Sequence, residues 1–263
     1  MNIFIRELRA NRKALIIWSV CMALFVLSGM SKYTAYSNGA GNEIFTKIPD
    51  TMKALLGFGS FDVTTMPGFF AFLFPYLELT TAIHAVLLGS GIIAKEERDK
   101  TTEFLITKPV SRSTIITSKL MTALVNIVIV NIVTLISSIA MVSAYNKGED
   151  ITGEIAMFLL SMFIVQLIFL SLGAALSAFM RNSKASGSLA IGILLGSYVI
   201  SKVTDLTDQV NVLNVLSPLK YFNYEKIVNG NGLNIGIVLL SLLLIVIFSA
   251  ATYFFYQRRD LNI

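Results

Sequence analysis

The chain has 263 residues, 55% of them hydrophobic and 14% charged, with a formal net charge of +5. That composition carries more apolar surface than one soluble core could bury, so lipid must supply the missing burial and a soluble globular domain is excluded. One histidine and one cysteine leave almost no material for zinc sites or His-dependent nucleophilic triads.

Six apolar runs, 14–30, 68–94, 120–144, 155–180, 185–201 and 233–256, match the roughly 20 residues a helix needs to cross a ~30 Å bilayer core. They are too long and continuous for the alternation of barrel strands, and backbone groups in lipid must be satisfied within each segment. The expected fold is therefore all-α: one polytopic transmembrane domain spanning 1–263.

Ahead of the first run, residues 2–13 place Ile5 and Leu8 a turn apart beside Phe4, with Arg6, Arg9, Lys13 and Glu7 on other faces. This predicts a short helix lying in the membrane interface, the alternative being a solvated basic tail. The first run has no small-residue cleavage site and reads as a retained span rather than a signal peptide. Cys21 falls within it and, having no partner thiol, is expected to be a small packing or lipid-facing residue.

The loop 31–67 begins rich in Gly and Asn and turns amphipathic from Glu43 to Leu56, as expected of a segment resting partly on the outer leaflet. The second span carries two ionisable side chains, Glu78 and His84. A charge at mid-bilayer costs roughly 2.5–3.5 kcal/mol on insertion scales, so such groups face a bundle interior or a wet cavity. Six positions set the two about 240° apart around the helix, which excludes a shared face. Glu78 is the candidate for a substrate or gating path, with a structural hydrogen bond to another helix as the alternative; His84 is expected to be a satisfied packing histidine.

Asn126 and Asn131 in the third span and Gln166 in the fourth are expected to bond between helices, for ~0.6–2 kcal/mol each. The connections 145–154 and 181–184 are short and turn-like, which makes the spans they join antiparallel neighbours. In the fifth span Ser188, Gly192 and Gly196 recur every four residues, a small-residue stripe expected to pack against another helix of the subunit, a dimer contact being the alternative. The last connection, 202–232, is too apolar for a solvated loop and too interrupted to span. It predicts short helices dipping into the outer leaflet, their backbone groups buried against protein.

Counted from an inside N-terminus, fourteen Lys and Arg lie in inside segments and seven in the longer outside ones. That bias fits the positive-inside rule with both termini cytoplasmic, and it makes the basic excess a topology signal rather than a nucleic-acid footprint.

The most distinctive hydrophilic stretch is Lys95–Lys119, KEERDKTTEFLITKPVSRSTIITSK, on the inside between spans two and three. Mixed charge is followed by Phe104, Leu105 and Ile106, a break at Pro109, and a helix start at Ser111 or Ser113. Charges beside exposed apolar side chains suit a docking site for another protein, or equally a connector hugging the membrane.

The run Glu96-Glu97-Arg98-Asp99-Lys100-Thr101, then Glu103-Phe104-Leu105, Lys108-Pro109-Val110-Ser111-Arg112 and Lys119, resembles the signature after the second helix of ABC-2 type permeases. These are membrane subunits of ATP-binding-cassette transporters, including the bacitracin-export and sodium-export-like group. The resemblance extends to the N-terminal helix, the six spans, Leu216-Ser217-Pro218 and the terminal Arg258-Arg259-Asp260-Leu261, and so runs the length of the chain.

It implies an elbow helix at 2–13 and a coupling helix after the second span that sits in a cleft of the ATPase. Glu96, Glu97, Arg98, Thr101, Glu103 and Phe104 would form the coupling surface, and Pro109 and Arg112 would shape the return to span three. Thr102 stands where an aliphatic residue is common, a departure that bears on the exact packing of this turn but not on the assignment. No G-x-x-x-x-G-K-[ST] phosphate loop occurs, so ATP and magnesium are expected on a separate ATPase subunit and none on this chain.

The implied protein is not itself an enzyme. It is the permease of an exporter in the bacterial plasma membrane, paired with a second copy or a sister permease and driven by two ATPase copies, with antibiotic efflux among the family's roles. The rival is an autonomous secondary transporter or channel using Glu78 as a proton or cation site; the inverted repeat expected of it is not evident. An intramembrane enzyme, with only Glu78 and His84 as acid–base groups, is a poorer third.

Overall fold

In a computed structural model of the chain, the described residues are 3–37, 49, 52, 62–98, 110–145, 150–180 and 182–258. Among them are eight α-helices and no strand: α1 (Ile3–Met30), α2 (Tyr33–Ser37), α3 (Met66–Arg98), α4 (Arg112–Tyr145), α5 (Thr152–Phe179), α6 (Ser183–Leu206), α7 (Tyr224–Val228) and α8 (Ile235–Arg258). Two 3-10 segments, Asp208–Leu216 and Pro218–Lys220, lie between α6 and α7. Six helices, α1, α3, α4, α5, α6 and α8, are long and apolar enough to cross a membrane, as the hydropathy pattern predicts.

Several ends fall beyond the apolar runs because capping chemistry, not hydropathy, terminates a helix. Thr65 accepts the Gly68 N–H at 3.3 Å and Pro67 follows at the first turn, so α3 starts there. Ser111 accepts the Thr114 N–H at 3.2 Å, which makes it the N-cap of α4.

The interfacial helix expected at 2–13 and the span 14–30 form one unbroken helix of 28 residues. Nothing in Arg9-Ala10-Asn11-Arg12-Lys13-Ala14 breaks a helix. At 1.5 Å per residue α1 is ~42 Å long, so its first turns extend past an apolar core of ~30 Å.

α3 and α5 form the centre: 67% of the apolar window of each is buried, against 17% for α1 and 11% for α8. α8 has the highest mean hydropathy of the six and is the least buried, as expected when lipid rather than protein is its solvent. Around the central pair, α8 lies along α5, α6 along α3, and α1 along α4.

With no hydrophobic force between helices in lipid, close approach has to come from shape. A Cβ on Gly89 would fall 2.1 Å from the Leu170 carbonyl oxygen, and one on Gly173 2.5 Å from that of Val86. α3 and α5 thus touch backbone to backbone. The stripe Ser188, Gly192 and Gly196 is exposed along its length, and a Cβ on either glycine would meet nothing within 4 Å, so the two glycines bring no other helix of the subunit close. α6 turns the opposite face, with Ala190 and Leu194, into the core.

Between α6 and α8 the chain folds back on the bundle. Leu219, Tyr221, Phe222 and Ile227 are buried, and Ser217 Oγ donates to the Ser197 carbonyl at 2.8 Å. Tyr221 donates its hydroxyl to the Val215 carbonyl at 2.7 Å, satisfying backbone that has no helical partner. Asp205 on α6 pairs with Lys202 at 3.4 Å and with Lys220, fastening the second 3-10 segment to α6. Burial, and then the neighbouring Lys202 charge, hold the Lys220 ammonium below its ordinary pKa.

Candidate functional site

α3 carries Glu78 into the centre of the molecule, where it is 2% exposed. One turn earlier Pro75 lacks the N–H that would bond the Ala71 carbonyl, a break in the helix ladder beside the carboxylate. The partner of Glu78 comes from the connection between α6 and α8. Tyr224, first residue of α7, donates its hydroxyl to Glu78 Oε2 at 2.5 Å, with the Leu219 carbonyl 3.5 Å away.

Burial, reinforced by the Glu78 carboxyl, pushes the Tyr224 phenol well above its usual pKa, so the hydroxyl keeps the proton it donates. The Tyr224 ring stands 5.3 Å from Phe74 and 6.0 Å from Phe158, and those two rings are 4.7 Å apart. The result is a carboxylate at the end of an aromatic slot, closed by a tyrosine on a five-residue helix.

His84 points elsewhere, as the helical angle requires. Its ring lies 4.9 Å from Trp18 of α1, and Nδ1 is buried with no hydrogen-bond partner among the described residues. It is a packing residue, as expected, but not a satisfied one. Asn131 reaches across from α4 to Gln166 of α5 at 2.5 Å, an interhelical bond, whereas Asn126 bonds the Thr122 carbonyl of its own helix at 2.7 Å.

A second charged cluster joins α1, α3 and α4 at the end where α1 begins and α3 terminates. Glu7 is 1% exposed; Lys95 donates to its Oε2 at 3.0 Å and Arg6 to its Oε1 at 3.1 Å. Lys119 of α4 is wholly buried and donates to the Ile92 carbonyl of α3 at 2.5 Å. Sequence reasoning put Glu7, with Arg6, Arg9 and Lys13, off the face that carries Ile5 and Leu8. The available signal was a lone carboxylate in a basic segment, with lysines ending one later helix and starting the next.

At the same end, Arg112 donates to the carbonyls of Gln257 at 3.0 Å and Tyr256 at 3.5 Å. A guanidinium there satisfies carbonyls that the last turn of α8 leaves without helical donors. Gln257 returns a bond to Ser113 at 2.9 Å, and Thr117 meets the Tyr253 hydroxyl at 2.8 Å. The start of α4 is thereby tied to the end of α8.

Of the remaining residues expected to form a coupling surface, Glu96, Glu97 and Arg98 lie in the last turn of α3, and Glu97 is half-buried. The side chains of Glu96 and Arg98, and all of Thr101, Glu103, Phe104 and Pro109, lie outside the described residues. No group of three or more His, Cys, Asp or Glu that could hold a metal occurs among the described residues.

The family model described as ABC-2 family transporter protein matches residues 1–261 of the chain. No curated protein matches it.

Proposed function

Since the chain belongs to the ABC-2 transporter family, and is thus a multi-pass membrane permease of an ABC transporter, we infer that it exports its substrate across the bacterial plasma membrane. ATP and magnesium are held by two copies of a separate ATPase, both termini of the permease face the cytoplasm, and a second permease, identical or a sister, completes the path. The observation that carries this assignment is where the two described ends of Lys95–Lys119 are anchored. This stretch leaves α3, a helix of the central pair, and enters α4, which is fastened to α1 and α8.

Glu97 and Phe104 dock on the ATPase together with Glu96, Arg98, Thr101 and Glu103. A push there is carried along α3, which is stiff and packed backbone to backbone on α5. Glu78 lies 20 positions, or ~30 Å, from Arg98 on the same helix, so a rigid shift of α3 moves the carboxylate relative to Tyr224. The Glu7–Lys95 pair and the Lys119–Ile92 bond tie α3 to the α1–α4 pair, and such a shift strains both. The exposed small-residue face of α6 is the surface offered to the second permease.

Co-expression with the ATPase encoded beside this chain, followed by purification through a tag on the permease, tests the assignment. Wild type is expected to retain the ATPase, while Glu97→Lys and Phe104→Ala release it or uncouple its ATP hydrolysis. A folded chain that never retains an ATPase would overturn it in favour of an autonomous transporter centred on Glu78.

A further inference from the structure

We propose that the Glu78 carboxylate, with the rings of Phe74 and Phe158, is a binding site for an organic ammonium carried on an apolar body, and that Tyr224 occupies this site when no cargo is bound. The proposal rests on taking Glu78, the candidate from sequence for a substrate or gating path, as part of the path through the permease, and names the cargo class that path would take.

The chemistry of the slot sets the class. A buried carboxyl group stays ionised only with a donor or a cation beside it, because an unpaired charge in a low-dielectric interior is strongly disfavoured. Tyr224 now supplies the donor, its hydroxyl 2.5 Å from Oε2. Its ring fills the space beside Phe74 and Phe158, at 5.3 and 6.0 Å between centroids. Tyr224 is thus an aromatic body with a polar donor at its far end, inserted ring-first among rings and donor-first onto a carboxylate.

A ligand of the same shape with an ammonium in place of the hydroxyl would gain full charge pairing with Glu78 and attraction to the ring quadrupoles. A neutral alcohol would gain neither, and an anion would be repelled.

The occupant is also built to leave. Tyr224 belongs to a helix of only five residues, Tyr224–Val228, capped by Asn223, whose side chain accepts the Lys226 N–H at 3.1 Å. Just beyond it Gly230 and Gly232 hold φ of +72° and +67°, a left-handed pair that turns the chain into α8. A swing of α7 on these glycines would leave α6 and α8 wound and would withdraw buried Ile227 together with Tyr224. Displacement of Tyr224 by cargo would therefore couple occupancy of the slot to movement of α7.

The test is equilibrium dialysis of phenethylammonium, with phenethyl alcohol as the neutral control, against the full chain in lipid nanodiscs. Wild type is expected to bind the ammonium weakly and the alcohol not at all. Tyr224→Ala empties the slot and is expected to lower the ammonium dissociation constant by about tenfold, since the fraction of binding-competent protein rises. Glu78→Gln abolishes binding. Should Tyr224→Ala fail to fold, Tyr224→Phe, which keeps the ring but frees the carboxylate, is expected to tighten binding by about threefold on the same reasoning.

Equal binding of amine and alcohol, binding that survives Glu78→Gln, or no gain on removal of the Tyr224 hydroxyl or side chain would each overturn the proposal. Because the assay contains no ATPase, such a result leaves the permease assignment standing. Loss of ATPase retention alongside intact ammonium binding would instead strike at that assignment alone.

Discussion

Glu7 sits where three helices meet, its two oxygens taken by Arg6 and Lys95, with buried Lys119 close by on α4. Removing the carboxylate costs more than the group contributes, because wholly buried Lys119 then stays desolvated without its counter-charge. Glu7→Ala is accordingly expected to destabilise the permease by about 2–3 kcal/mol, while Glu7→Asp loses less. Thermal melting in detergent measures both, and equal melting temperatures for wild type and Glu7→Ala would refute the tie. His84 presents the opposite case. Its buried Nδ1 has no partner among the described residues, so His84→Leu removes an unsatisfied group and is expected to be neutral or stabilising by about 1 kcal/mol. A melting temperature lowered by several degrees would mean that the ring makes a bond of its own.

Among the elements, α3 and α5 depend on two glycines for their backbone contact. Gly89→Ala puts a methyl 2.1 Å from a carbonyl oxygen and Gly173→Ala one 2.5 Å away; neither obstacle is a flexible side chain. Each is expected to force the helices apart at a cost of about 1–3 kcal/mol. Gly192→Ala, with nothing within 4 Å, is the internal control and is expected to leave the melting temperature unchanged. The existence and type of the six long helices were legible because hydropathy over some 20 residues is a local property. The tightest helix crossing was not. Gly89 and Gly173 lie in separate spans, neither in a glycine repeat of four-residue spacing, whereas the regular stripe at Ser188, Gly192 and Gly196 faces outward. Spacing reveals that a helix has a small-residue face; it does not reveal which neighbour that face meets. In the same way α1 reads as two pieces by composition and is one helix by propensity, since charged residues end an apolar run without ending a helix.

For the whole molecule, the stripe on α6 becomes a statement about assembly. If it is the face offered to the second permease, Gly192→Leu and Gly196→Leu should reduce recovery of an untagged copy with a tagged one by at least about fivefold, a shift of ~1 kcal/mol. The monomer should keep its melting temperature. Undiminished recovery would remove this face from the interface.

The candidate site was half legible. Glu78 announces itself because a carboxylate in an apolar run is costly enough to need a reason. Tyr224 gives no such sign, being one of nine tyrosines and 146 positions away in a segment with no helical periodicity to orient it. Glu7 was hidden similarly, since Lys95 lies 88 positions along the chain.

The central claim is that Lys95–Lys119 docks on an ATPase at the end of the bundle opposite the 3-10 segments. Cys21 is the chain's single cysteine, so Cys21→Ser yields a thiol-free background. In that background, Phe104→Cys and, at the opposite end, the highly exposed Val212→Cys are each to be cross-linked with a bifunctional thiol reagent to the co-expressed ATPase. A permease–ATPase adduct from Phe104→Cys alone, its yield changed by ATP, is the predicted result. An adduct from Val212→Cys instead, or none from Phe104→Cys while the ATPase still co-purifies, would contradict the claim.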